Sequence, residues 1–272
     1  MNILNASKQE MIIGALVEGA SIRSIERMTG VHRDTIMRLL VKTGDSCGKI
    51  MNSEMRNLPC KNIEMDELWS YVGKKQRHVG SDDDPSQVGD FYTFVALDAD
   101  TKLIPVYTVG KRNLYTAEIF LQDLASRLTN RIQLSSDRFQ PYMEAVERSF
   151  GGDVDYGQIV KSYEAEPIGA GRYSPPKVIA TIRCGLVGNP NPCKISTSYV
   201  ERQNLTVRMQ IRRFTRLTNA FSKKLDNLKA AVALHFAHYN FVRVHGSLRI
   251  TPAMAAGLTD HVWSISDLLE AN

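Results

Sequence analysis

Apolar residues recur at helical spacing through the first forty residues. In SKQEMIIGALVEGA, Met11, Ile12, Leu16 and Val17 share one face, and Gly19 ends the run. SIRSIERMTG follows, with Ser21 as N-cap, Ile22, Ile25 and Met28 at the same spacing, and Gly30 as a stop. VHRDTIMRLLVKTG predicts a third helix that ends at Gly44, and DSCGKIMNSEMRNLPC reads as a connector. The period then changes. NIEMDELWSYVGKK, DFYTFVALDAD and KLIPVYTVGKR predict three strands, separated by an acidic loop, GSDDDPSQVGD, and a hairpin turn, DADTK. LYTAEIFLQDLASRL predicts an amphipathic helix with Ala117, Phe120, Leu121, Leu124 and Leu128 inward. RIQLSSD predicts a short strand, PYMEAVERSF a helix opening on Pro141, and VDYGQIVKSY another strand. From Ser198 a helix is expected to about Phe214. Another runs from about Phe221 to Tyr239, with Phe221, Leu225, Leu228, Val232 and Phe236 as its stripe.

Three strands, helix, strand, helix, strand is the order of a ribonuclease H-like α/β core, a mixed sheet flanked by helices. Residues 1–45 are expected to form an all-α helix-turn-helix domain, 46–60 a linker, 61–258 the core domain and 259–272 a C-terminal tail. Within the core, GAGRYSPP and GLVGNPNPC flank the strand candidate KVIATIRC, which marks an insertion at about 162–196. A short helix, a glycine turn and a helix presenting Arg33, Thr35 and Arg38 suit entry into a DNA major groove, where arginines and hydroxyls reach base edges. A small helical bundle used for dimerisation is the competing reading.

Composition adds a partner. The 272 residues carry a net charge of +5. Between Tyr199 and Lys229, eight basic residues (Arg202, Arg208, Arg212, Arg213, Arg216, Lys223, Lys224 and Lys229) face only Glu201 and Asp226. The rest of the chain is close to neutral, so one basic stretch points to a polyanion docking at one face. An ordinary solvated helix explains the same charge. No apolar run approaches the roughly 20 residues of a membrane span, and the N-terminus lacks a signal-peptide pattern. A cytoplasmic, nucleoid-associated protein without a membrane is expected. Four widely spaced cysteines read as free thiols.

Two carboxylates, Asp66 and Glu67, sit inside the strand-like run EMDELWSYVGKK, where an ionised acid loses hydration that it cannot easily replace. A cation beside Asp66 resolves the conflict. Asp137 falls at the carboxyl edge of a strand, where open α/β sheets bind ligands, and Glu201 opens the basic helix. Together such acids can hold two divalent cations. Arg208 lies two turns beyond Glu201 on the same face, and Arg212 continues it. Each acid has a structural alternative. Asp66 can pair with a core arginine, Asp137 can cap the helix at Pro141, and Ser198 with Glu201 matches a capping box. Asp82, Asp83, Asp84, Asp98, Asp100, Asp153 and Asp155 compete for the same roles, and spacing does not choose among them.

MDELWSYVGKK, SSDRF, YVERQN and RRFTRLTNAFSKK, in this order, resemble the DDE transposases of bacterial insertion elements, most closely the insertion sequence one family. The segment YNFVRVHGSLRITPAMAAG resembles an ending shared by integrase-like transposases. The resemblance covers about residues 61–258. It implies a metal-binding triad of Asp66, Asp137 and Glu201 with Arg208 as the following basic residue. It also implies two Mg²⁺ ions, which Mn²⁺ can replace. The implied activity is cleavage at the element's terminal inverted repeats, then transfer of the freed 3′-hydroxyl to target DNA. Because two ends must meet, at least a dimer on DNA is expected. The chain departs from the compact members in the 63 residues between Asp137 and Glu201, and in lacking their amino-terminal zinc-finger-like cysteines.

Two other classes compete with a transposase: a DNA-binding regulator with an inert nuclease-like domain, and a structure-selective nuclease. His235, His238 and His245 suggest hydrogen-bonding or phosphate contacts more than a metal. Thr251 is expected to cap a short helix opening on Pro252. Trp263 reads as a packing anchor or a partner contact.

Overall fold

The computed structural model describes residues 4–164, 178–215 and 218–270. Three helices come first: α1 (Ala6–Val17), α2 (Ile22–Thr29) and α3 (Arg33–Glu54). Their starts follow local chemistry. Asn5 accepts the Lys8 N–H and Ser21 accepts the Ser24 N–H, each satisfying a first-turn donor without a helical partner. Gly30 closes α2 at φ 67°, a conformation that disfavours other residues.

The third helix does not stop at Gly44. It runs on to Glu54, so residues 46–54, expected as connector, are helical and bury Cys47, Ile50 and Met51. Gly44 instead serves packing. A Cβ there would lie 2.5 Å from the backbone oxygen of Ala230, on helix α7 (Leu225–Ala237). The two helices therefore cross at backbone contact, which outweighs the roughly 1 kcal/mol that glycine costs a helix. Gly44→Ala should destabilise the protein by about 1–3 kcal/mol through overpacking. Gly48→Ala in the same helix, where nothing lies within 4 Å, should stabilise it by about 0.5–1 kcal/mol. Urea unfolding separates the two cases, and equal effects would contradict the packing role.

Among the described residues the strands are β1 (Asn62–Val72), β2 (Gly89–Asp98), β3 (Val106–Gly110), β4 (Ile132–Ser136), β5 (Val154–Tyr163) and β6 (Val178–Val187), in the spatial order β3-β2-β1-β4-β5-β6. Pairing is antiparallel for β1–β2, β2–β3 and β5–β6, and parallel for β1–β4 and β4–β5. Parallel neighbours need crossovers, supplied by α4 (Leu114–Arg127) and α5 (Pro141–Phe150). This mixed six-stranded sheet flanked by helices is consistent with the ribonuclease H-like core. The stretch read as an insertion contributes β6, which extends the sheet beyond β5; its residues 165–177 lie outside the described ones.

Against one sheet face, Phe94 of β2 packs edge-on to Tyr142 of α5, with ring centroids 6.3 Å apart, and beside Phe120 of α4 at 5.8 Å. Helix α6 (Ser198–Gln210) lies against β1 and β2. Tyr107 of β3 meets Phe236 of α7 at 5.0 Å. Two expected boundaries move: α6 ends at Gln210 rather than Phe214, and α7 begins at Leu225 rather than Phe221. Near the end, Thr251 caps α8 (Pro252–Ala255) as expected. Trp263 stacks on Phe241 at 4.5 Å as a packing anchor, and α9 (Ile265–Glu270) buries Leu268. Among the described residues no helix is long and apolar enough to cross a membrane.

Candidate metal centre

Strand register brings the first two acids together. In the parallel β1–β4 pair, Glu64 lies opposite Ser135, and the same offset continued by two residues sets Asp66 beside Asp137. Strand β4 ends at Ser136, so Asp137 stands at the carboxyl edge, where the backbone opens. Asp137 accepts the Phe139 N–H at 3.0 Å and shapes the turn after β4. It does not cap α5, whose N-cap, Gln140, makes no side-chain bond. On Asp66, one oxygen accepts the side-chain amide of Asn204 at 2.8 Å.

Glu67 leaves the opposite face of β1, because successive strand residues alternate. Its side chain is 3% exposed, and Oε2 accepts the Arg112 Nε–H at 3.1 Å. Among the described residues its Oε1 is buried without a hydrogen-bond partner; the Tyr142 hydroxyl lies beside the carboxylate but makes no bond of acceptable geometry. One oxygen each from Asp66, Glu67 and Asp137 lies within 4.8 Å of the others.

This crowding has an electrostatic cost. Burial pushes Asp66 up to about 6, and the charges of Asp137 and Glu201 add to the rise. Burial likewise pushes Glu67 up to about 7, with Asp137 and Asp66 raising it further and Arg112 opposing them. A set of hard oxygen donors, mutually repelling and including an orphaned buried oxygen, fits a divalent cation such as Mg²⁺. Linkage gives a test. An acid whose pKa is raised by folding binds its proton more tightly in the folded state. Stability should therefore fall as pH rises from about 4 to about 7. A cation that replaces those protons should stabilise the protein above pH ~7 and hardly below pH ~5. Thermal melts in EDTA and in Mg²⁺ across this range measure it. Equal cation effects at both ends would contradict the site.

Glu201 sits one turn into α6. The helix is not opened by a Ser198–Glu201 capping box; its N-cap is Thr197. The first free N–H groups, of Tyr199 and Val200, are taken instead by buried Glu64 Oε2, at 2.7 and 3.1 Å. An acid from β1 thus fixes the start of the helix that carries Glu201 and Asn204. Glu201 Oε1 accepts the Thr197 hydroxyl at 2.6 Å and pairs with Lys161 of β5. It stands apart from the close trio, near enough for its charge to raise Asp66.

The basic residues spread over several surfaces. Arg208 occupies the last turn of α6, half-buried. Because the helix ends at Gln210, Arg212 does not continue the Glu201 face and starts a short 3₁₀ turn, Arg212–Phe214. Arg202 is exposed on α6, and Lys223 and Lys224 are exposed before α7. Arg213 is half-buried; Arg216 lies outside the described residues. Arg33 and Arg38 are exposed in the first turns of α3, and Arg38 donates to the Thr35 hydroxyl at 3.0 Å. His235 and His238 are buried, and burial holds their pKa values down to about 3 and about 4. Glu64, Asn204 and Lys161 escaped the sequence reading. A signal existed for two of them: Glu64 shares the Asp66 face by alternation, and Asn204 follows Glu201 by three residues on a helix.

No protein-family model matches this chain, and no curated protein does. Among solved structures, a piggyBac transposase synaptic complex with hairpin DNA, seen by cryo-electron microscopy, superposes with a TM-score of 0.45. It is 11% identical, over 98% of this chain and 70% of that one. Function is therefore read from the site's own geometry.

Proposed function

We propose that the chain is a DNA transposase of a bacterial insertion element, which binds the element's ends and carries out metal-dependent strand cleavage and strand transfer. The observation that carries the reading is the β1–β4 register, which sets Asp66 beside Asp137 at the carboxyl edge of the sheet, with Glu67 in the same group of oxygens. Asp66, Asp137 and Glu201 hold the divalent cations, two Mg²⁺ ions, with Glu67 close behind them. When bound, such ions polarise a phosphodiester and lower the pKa of water at neutral pH. Asn204 orients Asp66 by donating to one oxygen, which leaves the other for a cation. Glu64 holds α6 in place, and with it Glu201. Lys161 supplies positive charge beside Glu201, and Arg208 on the same helix is assigned to the phosphate strand being cut.

The three N-terminal helices support a helix-turn-helix reading of the element ends through Arg33, Thr35 and Arg38 on α3. Arg202, Arg212, Arg213, Arg216, Lys223 and Lys224 are assigned to DNA contacts. The four motif stretches favour the insertion sequence one family, a cytoplasmic, nucleoid-associated protein and at least a dimer on DNA. The test incubates the full chain with Mg²⁺ and a duplex carrying the element's own terminal sequence. Strand cleavage with a free 3′-hydroxyl, followed by joining to a target, is expected. A chain that binds the duplex and neither cuts nor joins it, with Mg²⁺ or Mn²⁺, refutes the proposal and favours a regulator.

A further inference from the structure

A cavity of about 1060 Å³ lies between the N-terminal helices and residues 210–213 and 218–235, and among the described residues it shares no lining residue with the acid trio. Its size is at the upper end of small-molecule sites. Among the described residues its lining includes Arg23, Arg33, Arg212, Arg213 and Lys223, against the single acid Asp34. Four of these basic side chains are exposed and form the lip; Arg213 lies deeper. Its guanidinium bonds the Ser222 hydroxyl at 3.1 Å and approaches Met37 Sδ at 3.5 Å, with no carboxylate in ion-pair distance among the described residues. Burial holds the Arg213 pKa down to about 10, the expected cost of a guanidinium left without a counter-charge.

A second observation points the same way. His235 also lines the cavity, is 2% exposed, and neither ring nitrogen has a hydrogen-bond partner among the described residues. A neutral imidazole offers one donor and one acceptor, so the floor holds polar capacity that no described residue uses. Leu40, Leu234 and Ala231 supply apolar wall beside it, and Phe221 lines the cavity with one ring face covered by Tyr71 at 4.7 Å.

We infer that this cavity is a nucleotide site: Arg213 and the basic lip take a phosphate, and the apolar wall with Phe221 and His235 takes a flat, hydrogen-bonding base. Guanidinium groups suit phosphate, and aromatic rings suit bases of any sequence. The occupant is either an unpaired nucleotide at a DNA end or a free nucleotide. The site stands whether or not the acid trio performs phosphoryl transfer.

The experiment uses the full chain and three probes: inorganic phosphate, a deoxynucleoside monophosphate, and a duplex with one unpaired terminal nucleotide beside its blunt counterpart. Equilibrium dialysis and fluorescence anisotropy report affinity. Arg213→Met and Arg212→Ala should each weaken binding of the nucleotide-bearing probe at least tenfold, with circular dichroism unchanged. Arg212 is exposed, so its variant keeps the test valid should Arg213→Met fail to fold. Asp66→Asn should bind like wild type, which separates this site from the metal centre. Preference for the unpaired end over the blunt end assigns the ligand to DNA; binding of the monophosphate with equal affinity for both duplexes assigns it to a free nucleotide. No binding of either nucleotide probe at millimolar concentration, nucleotide no tighter than phosphate, or unchanged affinity in folded Arg213→Met and Arg212→Ala would overturn it.

Discussion

Asp66→Asn and Asp137→Asn should each reduce strand cleavage and joining at least about a thousandfold, a loss of about 4 kcal/mol of transition-state stabilisation. The size follows from geometry. Asp66 and Asp137 face each other across the end of β4, and Asn204 already occupies one Asp66 oxygen. An amide in either place removes a charge that a cation needs and offers a weaker oxygen. Asp66→Asn should fold well, and in the metal-free state better than wild type, because ionising buried Asp66 opposes folding near neutral pH. Binding of the element's end should stay within about twofold, since most of that affinity comes from phosphate contacts elsewhere. The two glutamates should differ. Glu201→Gln should match the aspartate variants, whereas Glu67→Gln should lose about tenfold, because Arg112 already shares its charge. Single-turnover cleavage of an end fragment ranks all four. Full activity in both aspartate variants would refute the metal centre.

The second large effect concerns stability. Arg127 is 6% exposed and donates to Asp123 at 2.8 and 2.9 Å, to Asn52 at 3.1 Å, and to the carbonyls of Met51 and Met55, both at 3.1 Å. Those carbonyls close the C-terminal end of α3, where a helix has no internal donors left and favours a cation. One guanidinium thus fastens the N-terminal helices to the sheet's crossover helix α4. Arg127→Met keeps most of the volume and removes every bond, so it should cost about 3 kcal/mol, measured by urea unfolding. Arg131 makes a comparable set of contacts, to Asp155, Gly152 and Val154, with its side chain 40% exposed. Arg131→Met should cost far less, because water replaces what is lost. Equal losses would show that burial is not what gives Arg127 its weight.

The strands and crossover helices were legible because each obeys one period. Alternation from Leu68 to Val72 and the Ala117–Leu124 stripe both report burial on a single face. The end of α3 was not legible. Gly44 carries the usual sign of a helix stop, and only the backbone of Ala230, 186 residues away in sequence, explains a glycine inside the helix. The site divided in the same way. Asp66 was readable as an acid inside a strand, which a folded core tolerates only with compensation, and Asp137 as an acid at the carboxyl edge of another. Glu64 looked like an ordinary strand residue until α6 was seen resting its first amides on it. Nothing in the local pattern marks Arg127, since the carbonyls that it serves belong to a helix more than 70 residues earlier. Local pattern reports what a segment buries, and long-range pairing decides what it is buried against.

Cations at the sheet edge are what the functional reading needs most. Crystals of the full chain soaked in Mn²⁺ and measured at the manganese absorption edge locate such ions directly by their anomalous scattering. Anomalous density within coordinating distance of both Asp66 and Asp137, lost in Asp137→Asn, is the expected result. Manganese bound only at other positions, or none bound at millimolar concentration with both carboxylates ordered, would contradict it.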